Sequence, residues 1–234
     1  MSKRGRVVLG MACFLAAAVT AWAVEAESTK AVEKGAKASD KGWLQLFNGK
    51  DLKGWKAEGG ADWKVENGLL VGRQGQPGNK PGDLFTEKSF DNFELVVTWK
   101  AAWPCNTGVW FRYQKPDLAY QADILEWPDP VAFTGTLYSP NLPKGQLFLA
   151  INADKALEKR DDWNTFRITA VGDRLSVVLN GKKTADVRDK RSDRGKIGFQ
   201  VHPGDQFAKM AVMIKECSLR PLAPPKGGEK AASK

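Results

Sequence analysis

The fold is decided by the stretch NTGVWFRYQKPDLAYQADILEW, residues 106–127. Apolar, aromatic and β-branched residues occupy every second position from Thr107 to Tyr113, and again from Tyr120 to Ile124. A period of two is typical of strands that bury one face, because successive side chains point to opposite sides of a sheet. The polar, proline-containing segment between the two runs is typical of a loop. The stretch therefore predicts two strands joined by a loop.

The same alternation predicts a polar face on these two strands. If the alternating apolar residues face the core, then Trp110, Arg112, Gln121 and Asp123 share the opposite face. This set supplies a large ring, a cation, an amide and a carboxylate on rigid elements, and folding alone does not require it. We therefore identify this face as the candidate site. The competing interpretation is that Arg112 and Asp123 form a structural ion pair across the two strands.

The rest of the chain indicates an all-β fold. It contains nine Trp and 23 Gly but one His, and glycine-rich turns between aromatic and β-branched runs favour strands. The dipeptides Asn67-Gly68 and Asn180-Gly181 predict hairpin turns, since both residue types tolerate positive φ. About ten to twelve short strands predict a two-sheet sandwich of jelly-roll type, with a single closed barrel as the alternative.

Composition also predicts how the chain is divided. Three basic residues among the first six precede an apolar run, which is typical of a signal peptide and predicts a periplasmic or secreted protein without membrane contact after cleavage. The predicted segments are a signal peptide (1–26), a polar linker (27–41), one β domain (42–221) and a disordered tail (222–234). Within the domain, residues 74–83 predict a mobile loop, and residues 128–161 predict an ordered loop across one mouth of the sheet.

Charge and cysteine usage narrow the class of partner. The net charge of +9 is spread along the chain rather than clustered, so no nucleic-acid partner is predicted.

Cys105 and Cys217 can form a disulfide after export or remain as two buried thiols, and the sequence leaves both open. A single histidine cannot build a Cys/His zinc cluster. No cofactor or metal is therefore predicted, although a divalent cation stays compatible with the sequence.

Several motifs occur together in the same order in one known family. They are WLQLFNGKDLKGW, DWKVENGLLVG, LFTEKSFDNFELVVTWK, NTGVWFRY, WNTFRITAVGDRLSVVLNGK and RGKIGFQVH, and they span residues 42–221. The chain resembles the 3-keto-disaccharide hydrolase domain family. The resemblance implies a concanavalin-like (laminin G-like) jelly roll, a carbohydrate partner, and an exported enzyme that cleaves glycosides already oxidised to a ketone at C3.

This chemistry defines the roles that the site has to fill. A C3 ketone acidifies the hydrogen on C2, so cleavage needs a base near C2, a donor for the enolate and an acid for the leaving group. The sequence offers Asp123 or His202 as the base, Arg112 as the enolate donor and Glu126 as the acid. A structural, hydrogen-bonded His202 is the competing interpretation. Substrate contacts are predicted for Asn106, Trp110, Gln121 and Gln200.

Three hypotheses about function follow. Family members usually carry a Tyr-Glu-Ile-Gln type run where this chain has Tyr-Gln-Ala-Asp at 120–123. The first hypothesis is the enzyme described above. The difference at 120–123 suggests a second one, a non-catalytic carbohydrate-binding module, and the linker suggests a third, a tethered adhesion domain. A two-carboxylate glycosidase is not favoured, because Asp123 and Glu126 lie three positions apart and would point to opposite faces of one strand.

Overall fold

The computed structural model describes residues 42–224. The predicted signal peptide, the predicted linker and all but the first three residues of the predicted tail lie outside the described residues. No helix within the described part of the chain is long and apolar enough to cross a membrane.

Residues 42–224 form seventeen strands and two short 3₁₀ helices. In chain order the strands are β1 Leu44–Gln45, β2 Trp55–Gly59, β3 Asp62–Glu66, β4 Leu69–Arg73, β5 Gly82–Phe90, β6 Phe93–Ala102, β7 Thr107–Lys115, β8 Leu118–Ile124, β9 Glu126–Pro128, β10 Val131–Phe133, β11 Leu137–Tyr138, β12 Phe148–Ala150, β13 Asn164–Val171, β14 Arg174–Leu179, β15 Lys182–Arg188, β16 Gly195–Val201 and β17 Ala211–Pro221. The 3₁₀ helices are Lys155–Leu157 and Asp205–Phe207.

Most of the strands belong to two antiparallel sheets. The front sheet has the order β12-β11-β8-β7-β16-β5-β2, and the back sheet has the order β15-β14-β13-β6-β17-β4-β3, with β1 added beside β17. The remaining two strands, β9 and β10, pair only with each other. Two separate sheets with antiparallel pairing confirm the predicted jelly-roll sandwich and exclude a single closed barrel.

The core lies between the two sheets and follows the alternation of the sequence. Strand β6, in the middle of the back sheet, turns Leu95, Val97 and Trp99 inward, and β7 in the front sheet turns Val109 and Phe111 inward. All five side chains are fully buried in one cluster. Burial of apolar surface of this kind stabilises the fold by roughly 25 cal/mol per Å². The inward set fixes which residues remain for the outer face of the front sheet.

Two predicted hairpin turns are present. Asn67 and Gly68 have φ of 51° and 79° between β3 and β4, and Asn180 and Gly181 have φ of 48° and 86° between β14 and β15. Positive φ at both central residues is the geometry that Asn-Gly tolerates.

The region 128–161 is more regular than its sequence predicts. Strands β11 and β12 extend the front sheet beyond β8, and β9 with β10 forms a small hairpin beside them. Buried Asn152 holds the region, because its Nδ2 donates to the carbonyl of Thr134 over 2.7 Å and its backbone N–H donates to Thr136 Oγ1 over 3.0 Å. The region is held by side-chain hydrogen bonds to the backbone rather than by one buried apolar face. Its strands therefore show no alternation of apolar and polar residues in the sequence.

Cys105 and Cys217 are both buried free thiols. Burial raises the pKa of each thiol well above its ordinary value, which disfavours the reactive thiolate. Of the two alternatives that the sequence leaves open, the structure has the reduced form.

Candidate functional site

The outer face of the front sheet carries a cavity of about 490 Å³. This volume is within the range of pockets that bind small molecules. Its lining consists of Asp83, Asn106, Trp110, Tyr113, Pro116, Gln121, Asp123, Leu125, Trp127, Tyr138, Leu147, Phe148, Gln200 and His202. Six of the eight site residues predicted from the sequence are in this lining, so the predicted site residues and the cavity lie on the same face.

Strand register brings these side chains together. Trp110 on β7 lies opposite Gln121 on β8, and Gly108 lies opposite Asp123. Gln200 on β16 lies opposite Asp83 on β5. Site residues on neighbouring strands therefore lie side by side on this face of the sheet.

Two glycines on the outer face of the front sheet leave room for side chains of neighbouring strands. A Cβ atom on Gly108 would lie 2.7 Å from Cγ of Gln121, and one on Gly198 would lie 2.3 Å from Cδ1 of Phe85. Both distances are shorter than real Cβ contacts. The glycines therefore allow Gln121 and Phe85 to lie across neighbouring strands.

Asp123 has a buried carboxyl group, and its backbone N–H and carbonyl are both hydrogen-bonded. Its N–H donates to the carbonyl of Thr136 over 2.9 Å, and its carbonyl accepts from the N–H of Gly135 over 2.8 Å. Its Oδ2 is buried and has no hydrogen-bond partner among the described residues. Burial raises the pKa of this carboxyl well above its ordinary value, because the charged form is poorly solvated there. Asp123 is thus suited to hold a proton that an ordinary aspartic acid would have lost.

Asp83 is a second carboxyl group in the cavity, and the sequence analysis missed it. Burial raises its pKa to about 6, against the opposing effect of a hydrogen bond from Trp110. Residues 74–83 were predicted to be a mobile loop, but this segment is ordered, with reciprocal backbone hydrogen bonds between Gly75 and Lys80. Strand β5 begins at Gly82. The available signal was that Asp83 and Phe85 alternate with buried Leu84, so the alternation of β5 already includes Asp83.

Amide groups and the single histidine complete the polar part of the lining. Gln121 Nε2 donates to Gln200 Oε1 over 3.2 Å. His202 Nδ1 lies 2.7 Å from the carbonyl oxygen of Pro203. Because a carbonyl oxygen only accepts, Nδ1 carries the hydrogen in this contact and the neutral ring offers Nε2 as an acceptor. Gln74 Nε2 donates to the carbonyls of His202 and Gly204 over 2.8 and 3.0 Å, which holds this segment in place.

A chain of aromatic rings forms the other part of the lining. Trp110 lies 5.9 Å from Tyr113 and 6.2 Å from Tyr138, measured between ring centroids. The chain continues from Tyr138 to Phe148 at 6.5 Å and from Phe148 to Trp127 at 6.3 Å. Of these rings, only Trp110 was predicted as a site residue. Trp127, Tyr138 and Phe148 lie on β9, β11 and β12, which are too short to show alternation. Tyr113 belongs to the alternating run, but it lies in the stretch of β7 where the register shifts, so it faces the cavity and not the core.

Arg112 does not reach the cavity, and both sequence interpretations of it are wrong. The register of β7 and β8 shifts between Phe111 and Lys115, and Arg112 has a φ of +49°. This bulge turns Tyr113 instead of Arg112 toward the cavity. The Arg112 side chain is buried and donates to the backbone carbonyls of Asp91, Gly172 and Ser192 at 2.9, 2.8 and 3.2 Å. It is a structural residue that joins three loops.

Glu126 also lies outside the cavity lining. The strand that carries Asp123 ends at Ile124, and Glu126 starts the small hairpin of β9 and β10. Its carboxylate pairs with Arg160 and, over 2.9 Å, with Lys155. These cations hold the pKa of Glu126 below its usual range. A carboxylate stabilised in its ionised form is a poor proton donor, so the predicted acid role is not supported.

The site has no obvious metal centre. Among residues 42–224, no three His, Cys, Asp or Glu side chains gather closely enough to hold a metal ion. The cavity lining contains two carboxyl groups, one imidazole and three side-chain amides.

Part of the chain is similar in sequence to a known protein. Over 83 residues the chain is 31% identical to a 3-keto-disaccharide hydrolase of Bacteroides thetaiotaomicron. The match covers 32% of this chain and 28% of that protein, so it spans less than a third of the length of this relative.

Two solved structures share the fold. One is a provisionally named glycosyl hydrolase of Parabacteroides distasonis, with 21% identity, a TM-score of 0.57, and coverage of 78% of this chain and 95% of that one. The other is the exoplasmic/lumenal domain of VIP36 with bound Ca²⁺ and Man3GlcNAc, with 14% identity, a TM-score of 0.59, and coverage of 83% and 94%.

The family model extends over most of the chain. It matches residues 42–215, which include every strand that lines the cavity. The chain therefore belongs to the family of 3-keto-alpha-glucoside-1,2-lyase-like domains.

Proposed function

We propose that this protein cleaves glycosides whose sugar carries a ketone at C3, by removing the proton on C2 and expelling the group on C1. The observation that carries the proposal is the buried carboxyl of Asp123, which lines the cavity and has an Oδ2 without a hydrogen-bond partner among the described residues. Membership of the 3-keto-alpha-glucoside-1,2-lyase-like family supports the choice of substrate. We also propose that the protein is exported, as its N-terminal sequence predicts.

The reaction can be written as two balanced steps. A base takes the C2 proton, and the electron pair is delocalised onto the C3 carbonyl oxygen as an enolate. The enolate then forms a C1=C2 double bond while the bond from C1 to the glycosidic oxygen breaks, and an acid gives that oxygen a proton. Addition of water to the resulting enone yields the free keto sugar, so elimination followed by hydration gives net hydrolysis.

We assign the base to His202 and the acid to Asp123. Because Nδ1 of His202 contacts the carbonyl of Pro203, Nε2 is the ring nitrogen that can accept a proton, and imidazole is the commonest general base in enzymes. Asp123 keeps its proton to higher pH than an ordinary aspartic acid, which suits a donor to the leaving oxygen. Pairs of titratable groups with different environments are a frequent basis of acid–base catalysis.

The remaining lining residues bind the sugar in this proposal. The amides of Asn106, Gln121 and Gln200 supply hydrogen bonds for hydroxyl groups and for the enolate oxygen. Trp110 supplies an apolar surface for one face of the ring, with its own N–H engaged by Asp83.

Two-carboxylate glycosidase chemistry is less well supported. Asp83 and Asp123 lie on β5 and β8, which are separated by β16 and β7 in the front sheet. Three strand spacings place their Cα atoms about 14 Å apart along the sheet, so the two side chains would have to lean toward each other to bring their carboxyl groups within glycosidase range. Retaining and inverting glycosidases hold their two carboxyl groups at about 5 to 9.5 Å.

The test is whether the full chain turns over 3-keto-trehalose or a methyl 3-keto-glucoside. Turnover is monitored by the loss of substrate and by the ultraviolet absorbance of the enone. Asp123→Asn and His202→Ala should each lower kcat by about 10² or more. Asp117→Asn, which changes an exposed carboxylate on the β7–β8 turn, is the control and should keep the rate. Sugar binding without turnover would contradict the enzyme and support the carbohydrate-binding module.

A further inference from the structure

The cavity lining is divided into a polar and an apolar part. Asp83, Gln200 and Asp123 project from strands in the middle of the front sheet. On the side of β11, β12 and the β9–β10 hairpin, the lining is an apolar wall that we define as Leu125, Trp127, Tyr138, Leu147 and Phe148. Asp123 lies on β8, which is next to β11, so the proposed proton donor is at the boundary between the two parts.

The apolar wall is continuous and partly exposed. Phe148 packs edge-on against both Tyr138 and Trp127. Trp127 and Leu147 keep 36% and 45% of their surface in contact with solvent. Five large apolar side chains are exposed among residues 42–224, and four of them lie between Trp127 and Ile151. Exposed apolar surface that is concentrated beside a polar cavity marks a binding surface rather than random exposure.

The wall offers little to a hydroxyl-bearing ligand. The indole N–H of Trp127 donates to the carbonyl of Asp129 over 3.0 Å, so this ring presents carbon surface to the cavity. Leu125, Leu147 and Phe148 have no polar side-chain atoms, so the hydroxyl of Tyr138 is the one side-chain group of the wall left for a hydroxyl-bearing ligand. A second sugar placed here would leave several hydroxyl groups without partners, which costs binding free energy. An apolar group would instead remove both itself and the wall from water.

We propose that the apolar wall binds the leaving group, and that this group is an apolar, planar aglycone rather than a second sugar. The inference rests on the proposed function for the position of the reacting sugar, which occupies the polar part. The glycosidic oxygen then lies at the boundary beside Asp123, where the departing alkoxide would need its proton. The substrate class is a C3-oxidised glycoside of an aryl or similarly apolar alcohol.

The first experiment measures binding and does not depend on turnover. Phenyl glucoside, methyl glucoside and trehalose are titrated into the full chain by calorimetry. Phenyl glucoside should bind at least about tenfold more tightly than the other two, since apolar groups in hydrophobic pockets discriminate by one to two orders of magnitude. Leu147→Ala and Trp127→Ala should each reduce this preference at least about threefold. Leu44→Ala is the matched control, because Leu44 is exposed to 47% on β1 and lies outside the cavity.

The second experiment compares kcat/KM for phenyl and methyl 3-keto-glucosides in the same variants. Leu147→Ala should lower the value for the phenyl substrate at least about threefold more than that for the methyl substrate. This comparison between variants cancels the difference in leaving-group acidity. Equal binding of phenyl and methyl glucoside, tighter binding of trehalose, or a preference that Leu147→Ala does not change would overturn the proposal.

The two proposals can fail separately. Turnover of methyl 3-keto-glucoside without any preference for phenyl would leave the catalytic function intact and remove the aglycone site. A Leu147-dependent preference for phenyl glucoside in a protein that turns over neither substrate would retain the apolar site and remove the catalytic function.

Discussion

Trp110 donates its indole N–H to Asp83 Oδ1 over 2.9 Å, across the intervening strand β16. The contact links the one ring predicted from the sequence to a carboxyl group that the sequence analysis missed. Burial raises the pKa of Asp83 to about 6, and this hydrogen bond opposes the rise. Burial has the larger effect on the pKa of Asp83, and the residue that forms the ring platform of the cavity partly offsets it.

Removal of the indole N–H should raise the pKa of Asp83 further. In Trp110→Phe the ring platform is retained, but the donor that stabilises the ionised carboxylate is lost. Titration of the Asp83 carboxyl carbon by NMR should give a pKa above the wild-type value of about 6. Trp103→Phe removes an indole N–H that donates to another carboxylate, Glu158, over 2.8 Å, and should not change the titration of Asp83. An unchanged Asp83 titration in Trp110→Phe would show that the hydrogen bond is not formed in solution.

Asp83→Asn should stabilise the protein at neutral pH. The folded-state pKa of Asp83 is raised from 3.8 to about 6, so the native state binds more protons than the unfolded state between these values. The free energy of unfolding of the wild type therefore falls as pH rises through this window. The Asn variant lacks this loss, and its Oδ1 can still accept from Trp110. The gain should approach zero below pH 4 and reach at most about 3 kcal/mol at pH 7.

Urea unfolding of wild type and Asp83→Asn at several pH values measures this difference. Asp117→Asn, on the exposed β7–β8 turn, is the control and should give no comparable change. A gain that is the same at pH 4 and pH 7 would mean that the ionisation of Asp83 is not its cause.

Arg112→Gln should affect stability more than catalysis. The Arg112 guanidinium is buried and satisfies the carbonyls of Asp91, Gly172 and Ser192. Loss of this donor would leave buried acceptors unpaired, at a cost of about 1 to 3 kcal/mol each. The urea midpoint should fall markedly, while kcat per folded molecule stays within about threefold. Arg194→Gln changes an exposed arginine and should leave the midpoint unchanged. A kcat loss of about 10² at an unchanged midpoint would return Arg112 to the catalytic site.

The outer face of the front sheet was predictable because the period of two held where the strands are regular. Trp110, Gln121, Asp123 and Gln200 follow that period and reach one cavity. The alternating apolar residues must face the core, so these four side chains must occupy the opposite face of the sheet. The amide–amide contact of Gln121 with Gln200, from strands distant in sequence, follows from the same alternation.

The wrong and the missed site residues have three other causes. The prediction for Arg112 is wrong because a bulge interrupts the period of two there. Arg112 has a positive φ, which is uncommon for residues other than glycine and cannot be inferred from an arginine side chain. Tyr138, Leu147 and Phe148 belong to two- and three-residue strands or their borders, which are too short for a period to be detected. Asp83 depends on pairing between β5 and β16, which are more than a hundred residues apart in the chain. Long-range pairing is set by the whole core and not by local sequence.

Glu126→Gln should leave the chemistry of the site intact and change only the support of the apolar wall. Glu126 pairs with Lys155 and Arg160, and these contacts hold the β9–β10 hairpin that carries Trp127. The pairs are partly exposed, so each contributes little to overall stability. We expect kcat for methyl 3-keto-glucoside to stay within about twofold, because the cavity keeps Asp123 and His202. KM for the phenyl substrate should rise about two- to fivefold as Trp127 becomes less well held.

Asp186→Asn is the matched control for this change. Asp186 also pairs with an arginine and a lysine, Arg174 and Lys183, but on the back sheet, so its loss should leave both KM values unchanged. Steady-state kinetics with the phenyl and methyl substrates distinguishes the outcomes. A fall in kcat of about 10² for both substrates would restore Glu126 as the proton donor, since loss of a general acid slows the chemical step for every leaving group.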